Sequence, residues 1–542
     1  MIPTEPRLKS QLNRSPASLS LWIASTLWVG LLAGILWVFT ADDSYIVYRY
    51  ATNFSSGRGL VYNPSEHISA LTSPLHAIIC CLLVFLPLSI VTSNKILALV
   101  FIVTASAVAC RRLEYGPFRC LLVAGLVLGS PHVVFWAVGG LETPYLLSLL
   151  MVVFWQHDSF RRSPSRRSGI VLSVTCGLCF LLRFDSVLLS APILVHAIIL
   201  GRRRGLSFLN ASIALIGPAM LISASWLTFS HLYYHDILPT SYYSKGLTFS
   251  WFSIATNAIY ILQFLVLSGL AVVASVIALV ILIRADRGFA ATLRNWTGRH
   301  WGLLTGLVLS LIYSLGMVTT HMMFSYRFLV PFLPLLLLLF IDLYPRRDLQ
   351  RRPCSPHAII SSGLAILLLQ ATVLAALLTA SFNIGAVGEY RRVDLPQYQQ
   401  FQQVLKEQAI CIRDHWSRQD GRAGGPIVYV FAAGVPGHEL ADARIVDSSI
   451  ISYRHYYQGR PSGISQSADY VWVTSRHGSL ATQLRGLLGG LDRLDSSARS
   501  ISFDGTVEEF VVYFNPHPSE LRLPPYIDGS PPASSTDGNS IQ

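Results

Sequence analysis

Leu36-Trp37-Val38-Phe39-Thr40-Ala41-Asp42-Asp43-Ser44-Tyr45-Ile46-Val47-Tyr48-Arg49-Tyr50 marks where an apolar run starting near Leu19 meets two adjacent carboxylates. A run of that length matches the roughly 20 residues that cross a bilayer. Arg7, Lys9 and Arg14 precede it. A secretory signal has an apolar core of only about 7–15 residues before its cleavage site. The run therefore reads as a retained first span with the N-terminus in the cytoplasm. A charge pair at a membrane boundary is costly to place in hydrocarbon and marks a candidate functional site. Two neighbouring carboxylates also split their titrations, which leaves one as a base at neutral pH. Gly57-Arg58-Gly59-Leu60-Val61-Tyr62-Asn63-Pro64 continues as a polar, aromatic, turn-rich loop.

The whole chain agrees with a polytopic membrane protein carrying a soluble remainder. Of 542 residues, 52% are hydrophobic and 13% charged, against about a quarter charged in a soluble domain. Mean hydropathy is +0.49. The net charge of +12 does not point to nucleic acid, because the basic residues fall in short clusters between apolar runs, as in cytoplasmic loops. Six of eight cysteines lie in or beside apolar segments, Cys354 is in a basic loop, and Cys411 is alone in the soluble part. No disulfide inside that part is expected. Cys176 and Cys179 have redox or zinc spacing, but on an apolar run they read as small buried hydrophobes.

The positive-inside rule sets the expected topology. If Pro74–Leu88 crosses the membrane, every later basic cluster faces outward. If it is a short helix at the outer surface, the clusters Arg111/Arg112/Arg119, Arg161/Arg162/Arg166/Arg167, Arg202/Arg203/Arg204, Arg284/Arg287/Arg294/Arg299 and Arg346/Arg347/Arg351/Arg352 all fall inside. The spans then lie near 93–110, 119–136, 142–156, 169–183, 186–201, 207–228, 253–283, 302–320, 328–344 and 357–380. With the first, that makes about eleven. Domain 1–382 is thus expected to be transmembrane, with a first external loop over 41–92. The unusual polar residues cluster on the outer face, whereas a transporter places ionisable groups at broken helices in mid-membrane.

Residues 383–515 read as a small extracytoplasmic α/β domain and 516–542 as a disordered tail. Pro396–Trp416 has helical spacing, with Pro396 suited to a first turn. Ile427–Phe431, Ala443–Val446 and Tyr470–Thr474 are short buried strands, and Ile501–Phe503 and Glu509–Phe514 flank a hairpin turn at Asp504-Gly505. Tyr453-Arg454-His455-Tyr456-Tyr457 either faces a sugar or packs as a half-buried strip.

The first loop resembles that of the GT-C glycosyltransferases. The residues that carry the likeness are Asp42 to Asn53, Gly57 to Glu66 and Thr72-Ser73-Pro74-Leu75. They are most similar to the terminal arabinofuranosyltransferases of actinobacterial cell-wall (arabinogalactan) synthesis. Gly140-Leu141-Glu142-Thr143, Tyr233 to Pro239, Tyr242-Tyr243-Ser244-Lys245 and His321 to Pro331 follow in that family's order. Two departures are Phe184 in Arg183-Phe184-Asp185, where relatives carry proline, and Met317-Val318-Thr319-Thr320 before His321 in place of Gly-Gly-Asp.

The resemblance implies a GT-C fold and transfer of a sugar, with inversion, from a polyprenyl-phosphate donor to a cell-envelope glycan on the outer face of the cell membrane. It implies a base at Asp42 or Asp43, with Asp42 preferred and Asp43 orienting the acceptor or supporting the loop. Capping of the following helix is the alternative role for both. Arg327 and Lys245, then Arg49 and Arg183, are candidates to hold the leaving phosphate, or they snorkel to headgroups or pair with acids. Substrate-side roles are implied for Tyr62, Asn63, Glu66, Glu142, His235, Tyr243 and His321. No cofactor and no bound metal are expected, and the partners are donor, glycan acceptor and membrane lipids. Mannosyl or aminosugar transfer to protein or lipid, and a lipid-linked sugar flippase, are the competing readings.

Overall fold

The computed structural model describes residues 16–64, 66–244, 251–270, 289–316, 324–343, 356–379, 382–386, 389–419, 424–430, 433–447, 469–474, 492–503 and 506–514. Two compact units result. The first comprises Met1–Ala51, Leu71–Leu238 and Lys245–Ala380, and the second Thr52–Ala70, Pro239–Ser244 and Ser381–Gln542. The first loop, expected to belong wholly to the membrane domain, is thus divided: its stretch 52–70 groups with the C-terminal residues.

The first unit is helical. Its elements are α1 (Pro16–Leu36), α2 (Asp42–Ser55, crossing the boundary), α3 (Pro74–Leu83), α4 (Ile90–Arg112), α5 (Pro117–Val123), α6 (Pro131–Val138), α7 (Thr143–Arg162), α8 (Arg166–Leu182), α9 (Val187–Arg203) and α10 (Phe208–Tyr234). Helices Trp251–Leu267, Phe289–Gly316, Leu333–Leu343 and Pro356–Thr379 follow. Among the described residues four helices are long and apolar enough to cross a membrane, or five if a bent pair counts as one. This is a membrane protein. Helix α1 exposes Ile23, Leu27, Leu31 and Ile35, four residues apart on one side, with Leu27 70% exposed. Such a stripe suits hydrocarbon rather than water.

One expected span differs in detail, and the segment read as a short surface helix is short. Pro74–Leu88 yields a helix of only 10 residues, about 15 Å long and too short for a hydrocarbon core of about 30 Å. The run 119–136 is not one straight helix: α5 passes into a π-helical turn, Ala124–Leu128, and α6 restarts at a 52° bend. Pro131 has no N–H to donate and holds Ser130 extended (ψ 119°). Close approach shapes another contact. A Cβ on Gly302 would lie 2.6 Å from His196 Cβ, and one on Gly306 2.8 Å from Leu189 Cα. Bare glycines four apart let helix Phe289–Gly316 meet α9 backbone to backbone.

The second unit has a five-stranded mixed sheet. Strands β1 (Phe382–Ala386) and β2 (Glu389–Val393) form a separate antiparallel hairpin. The sheet comprises β3 (Ile427–Val430), β4 (Arg444–Asp447), β5 (Tyr470–Thr474), β6 (Asp492–Phe503) and β7 (Thr506–Phe514), in the order β4-β3-β5-β7-β6. Strand β3 runs parallel to β4 and β5, while β7 is antiparallel to β5 and β6. Helix Leu395–Trp416 begins in a capping box between Asp394 and Gln397. The hairpin β1–β2 was not legible in the sequence. The expected turn at Asp504-Gly505, the strip Tyr453–Tyr457 and the tail 516–542 lie outside the described residues.

Strand β4 is the edge of this sheet, and stretch 52–70 satisfies it. Asn63 Nδ2 donates to Ile445 O (2.8 Å) and Ile445 N–H donates to Asn63 Oδ1 (3.0 Å). One side-chain amide thus imitates a neighbouring strand. Tyr62 Oη donates to Ala433 O (2.5 Å), Glu66 pairs with Arg444 and Arg58 with Asp442. Asn63→Ala is expected to cost about 2–4 kcal/mol, because two buried backbone groups lose their partner. Thermal unfolding in detergent reads this out, and an unchanged midpoint would mean that the edge needs no such partner.

Candidate functional site

The site begins at the break between α1 and α2. Lys95, 3% exposed on α4, donates to Trp37 O (2.6 Å) and Phe39 O (2.8 Å), carbonyls just past the end of α1. A cation there favours the negative end of a helix. Ala41 N–H donates to Gly139 O (2.9 Å), and Ser44 N–H and Oγ both donate to Ala41 O. The chain therefore turns sharply into α2, with Asp42 and Asp43 in its first turn. Both are half-buried.

The turn Gly139-Gly140-Leu141-Glu142 is set by a buried polar hub. Gly140 O accepts from Tyr48 Oη (3.2 Å) and Asn94 Nδ2 (2.9 Å). Asn94 Nδ2 also reaches Tyr48 Oη (3.0 Å), Asn94 Oδ1 accepts from Tyr145 Oη (2.6 Å), and His76 Nε2 lies 3.4 Å away. Gly140 has φ +84°, and a Cβ there would sit 2.5 Å from Tyr48 Oη. Gly140→Ala combines a left-handed backbone with a clash, a cost of about 2–4 kcal/mol. A melting curve like that of wild type would show that the hub yields instead.

This rigid turn presents Glu142, directly before α7, to Arg327. Arg327 Nη1 donates to Asp43 Oδ2 at 2.9 Å, across 284 residues of sequence. Its Nη2 lies 3.3 Å from Glu142 Oε2 and 3.4 Å from Oε1, across 185 residues. The side chains of Arg327 and Glu142 are 8% and 4% exposed, while Asp43 is 45% exposed. Burial opposes the charge on Arg327, but the Glu142 and Asp43 carboxylates outweigh it and raise the guanidinium's affinity for its proton.

Arg327 is aimed by a strained turn. Ser325 (φ 43°) and Tyr326 (φ 57°) are both left-handed without being glycine, a conformation that persists only where surroundings enforce it. Trp136 Nε1 donates to Ser325 O (3.0 Å), and His132 Nδ1 shares a hydrogen bond with Ser325 Oγ (2.7 Å). Tyr326 packs on Tyr260, 4.7 Å between ring centroids. The Arg327 guanidinium lies 5.8 Å from the Trp136 ring and 5.6 Å from that of Phe328. Arg183 lies 4.8 Å from the same Phe328 ring. Two of its nitrogens hold Asp185, and Nη1 is buried without a hydrogen-bond partner.

The structure thus brings together Asp43, Glu142 and Arg327, and places Arg183 on the same aromatic ring. Arg49 is buried on α2, and His235 is exposed at the left-handed end of α10. Tyr62, Asn63 and Glu66, assigned to substrate by resemblance, bond to residues 433–445 of their own unit. Lys245 and His321 lie outside the described residues, as does the side chain of Tyr243. Sequence reading missed Asn94, Lys95 and Tyr48. The available signal was Asn94-Lys95 at the head of an apolar run, since intramembrane polar groups earn suspicion by default. Among the described residues no group of three or more His, Cys, Asp or Glu is arranged to hold a metal ion.

Chemically, the cluster offers a desolvated fork of guanidinium donors suited to phosphate or carboxylate, beside two half-buried carboxylates. No family model matches this sequence and no curated protein matches it. Among solved structures, the chain is similar to the crystal structure of ArnT from Cupriavidus metallidurans bound to undecaprenyl phosphate. Identity is 12% and the TM-score 0.47, over 92% of this chain and 98% of that one.

Proposed function

We propose that this chain is a GT-C-type glycosyltransferase that moves a sugar, in our reading arabinofuranose, from a polyprenyl-phosphate donor to a cell-envelope glycan. The carrying observation is the meeting of Asp43, Arg327 and Glu142, which belong to three separate motifs of the resemblance. The unusual polar residues cluster at the face read as external, where a lipid-linked sugar is the available activated donor.

In this mechanism the acceptor oxygen attacks the anomeric carbon from the face opposite the phosphate. The bond from that carbon to the phosphate oxygen breaks, and its electron pair stays on the lipid phosphate. The acceptor's proton passes to Asp42 as general base. Arg327, with Arg183 near it and Lys245 as a further candidate from the resemblance, stabilises the charge gathering on the leaving phosphate. Glu142 keeps Arg327 oriented. No divalent cation is needed when guanidinium groups supply the positive charge. His235, Tyr243 and His321 are proposed to contact sugar or acceptor, and Tyr62, Asn63 and Glu66 to hold the first loop.

The test is transfer by the purified chain in detergent. Radiolabelled polyprenyl-phosphate arabinose and polyprenyl-phosphate mannose are supplied in parallel with arabinan and mannan oligosaccharides. Labelled arabinan from the arabinose donor alone is the expected result. Product from mannose keeps the chemistry and moves the sugar. No product with either, accompanied by lipid-linked sugar crossing a vesicle bilayer, would make the protein a flippase.

A further inference from the structure

We infer that Asp43 is a place-holder for the donor's phosphate: it occupies Arg327 in the empty protein and is exchanged for the phosphate when the donor binds. The inference rests on the glycosyltransferase reading and adds to it a specificity-determining residue.

Among the described residues, Arg327 meets two carboxylates in unequal circumstances. Glu142 is 4% exposed and sits on a turn locked by Gly140, Asn94 and Tyr48, yet its contacts are the longer ones, 3.3 and 3.4 Å. Asp43 is 45% exposed, stands in the first turn of α2, and makes the shorter bond of 2.9 Å. The partner best placed to move therefore holds the nitrogen on the accessible side.

Charge counting gives the exchange its direction. Among the described residues, the ion pairs at this site set the carboxylates of Asp43, Glu142 and Asp185 against the guanidinium groups of Arg327 and Arg183. An arriving phosphodiester would add a further negative charge to a partly desolvated cluster, where like charges repel strongly. Withdrawal of Asp43 toward solvent restores the balance and vacates Arg327 Nη1. Arg183 supplies the second anchor. Its Nη1 is buried without a hydrogen-bond partner, on a side chain 10% exposed, against the ring it shares with Arg327. A buried donor left unmade is costly, and a tetrahedral anion with several oxygens can satisfy it while a single carboxylate on Arg327 does not. Neutral lipids carry no charge with which to displace Asp43, so the pair selects for anionic head groups.

The competition has a measurable size. A ligand's apparent dissociation constant is its intrinsic value divided by the fraction of protein in the competent state. If Asp43 holds Arg327 in about 80–90% of empty molecules, removing its charge tightens binding about five- to tenfold. The experiment measures binding of undecaprenyl phosphate to the purified full-length chain in detergent. Wild type, Asp43→Asn, Asp43→Ser, Glu142→Gln and Arg327→Gln are compared, with undecaprenol as the neutral control. Expected are tighter binding in both Asp43 variants, no such gain in Glu142→Gln, a loss of tenfold or more in Arg327→Gln, and a narrowed preference over undecaprenol for Arg327→Gln. Wild-type binding that Arg327→Gln abolishes but neither Asp43 variant tightens overturns the exchange and leaves the glycosyltransferase reading standing. Absence of binding by every variant, wild type included, overturns both.

Discussion

Asp42→Asn lowers sugar transfer by about 10²–10⁴-fold, the range that a positioned general base contributes, and leaves membrane insertion and unfolding temperature as in wild type. The size follows from the role. An acceptor hydroxyl holds its proton far too tightly to attack at neutral pH, and an amide cannot take that proton. The small structural effect follows from the position. Asp42 is half-buried in the first turn of α2, and asparagine is nearly isosteric with aspartate and also favoured at helix starts. The comparison with Asp43→Asn is the informative one. Because Asp43 bonds Arg327, its variant changes donor affinity, whereas Asp42→Asn changes turnover at saturating donor. Substantial transfer by Asp42→Asn would defeat the mechanism.

Arg327→Met is expected to destabilise the membrane unit by about 3–5 kcal/mol, the cost of breaking a buried ion pair from one side. Glu142 is the reason: only 4% exposed and held on the hydrogen-bonded turn, it loses the cation that offsets its burial. Asp43, 45% exposed, turns to water at little cost. Pairing Arg327→Met with Glu142→Gln removes both buried charges and should recover most of the lost stability. Transfer stays abolished in single and double variants, since the leaving phosphate has lost its donor. Arg327→Lys keeps a charge but not the fork that spans two carboxylates, so it falls between. Unfolding in detergent and transfer at saturating donor separate the two effects. Equal melting of Arg327→Met and its double variant would show that Glu142 is not the liability.

Much of the helical unit could be read from the chain because it is locally determined. Leu19–Thr40, the run that becomes α4, and Pro74–Leu88 declare themselves by length and hydropathy, each a sum over neighbouring residues. Strand β5 and helix Leu395–Trp416 match the expected Tyr470–Thr474 and Pro396–Trp416 closely, since a short apolar run and a capping box are also local signals. The bend between α5 and α6 was legible in Pro131 and was missed because hydropathy alone treats 119–136 as continuous.

The candidate site was only half legible. Asp42, Asp43, Glu142 and Arg327 stand out as charges at the ends of apolar runs, because placing charge there is costly whatever the fold. The chain by itself thus determined which segments are helices and which residues are too expensive to be incidental. What tertiary structure alone decided is who meets whom. Arg327 reaches Asp43 and Glu142 over separations of 284 and 185 residues, Asn94 ties Tyr48 to Gly140, and 52–70 serves the edge of β4. Those pairings depend on how helix ends and a sheet edge come to rest after packing, and no local sum of propensities or transfer energies contains that information.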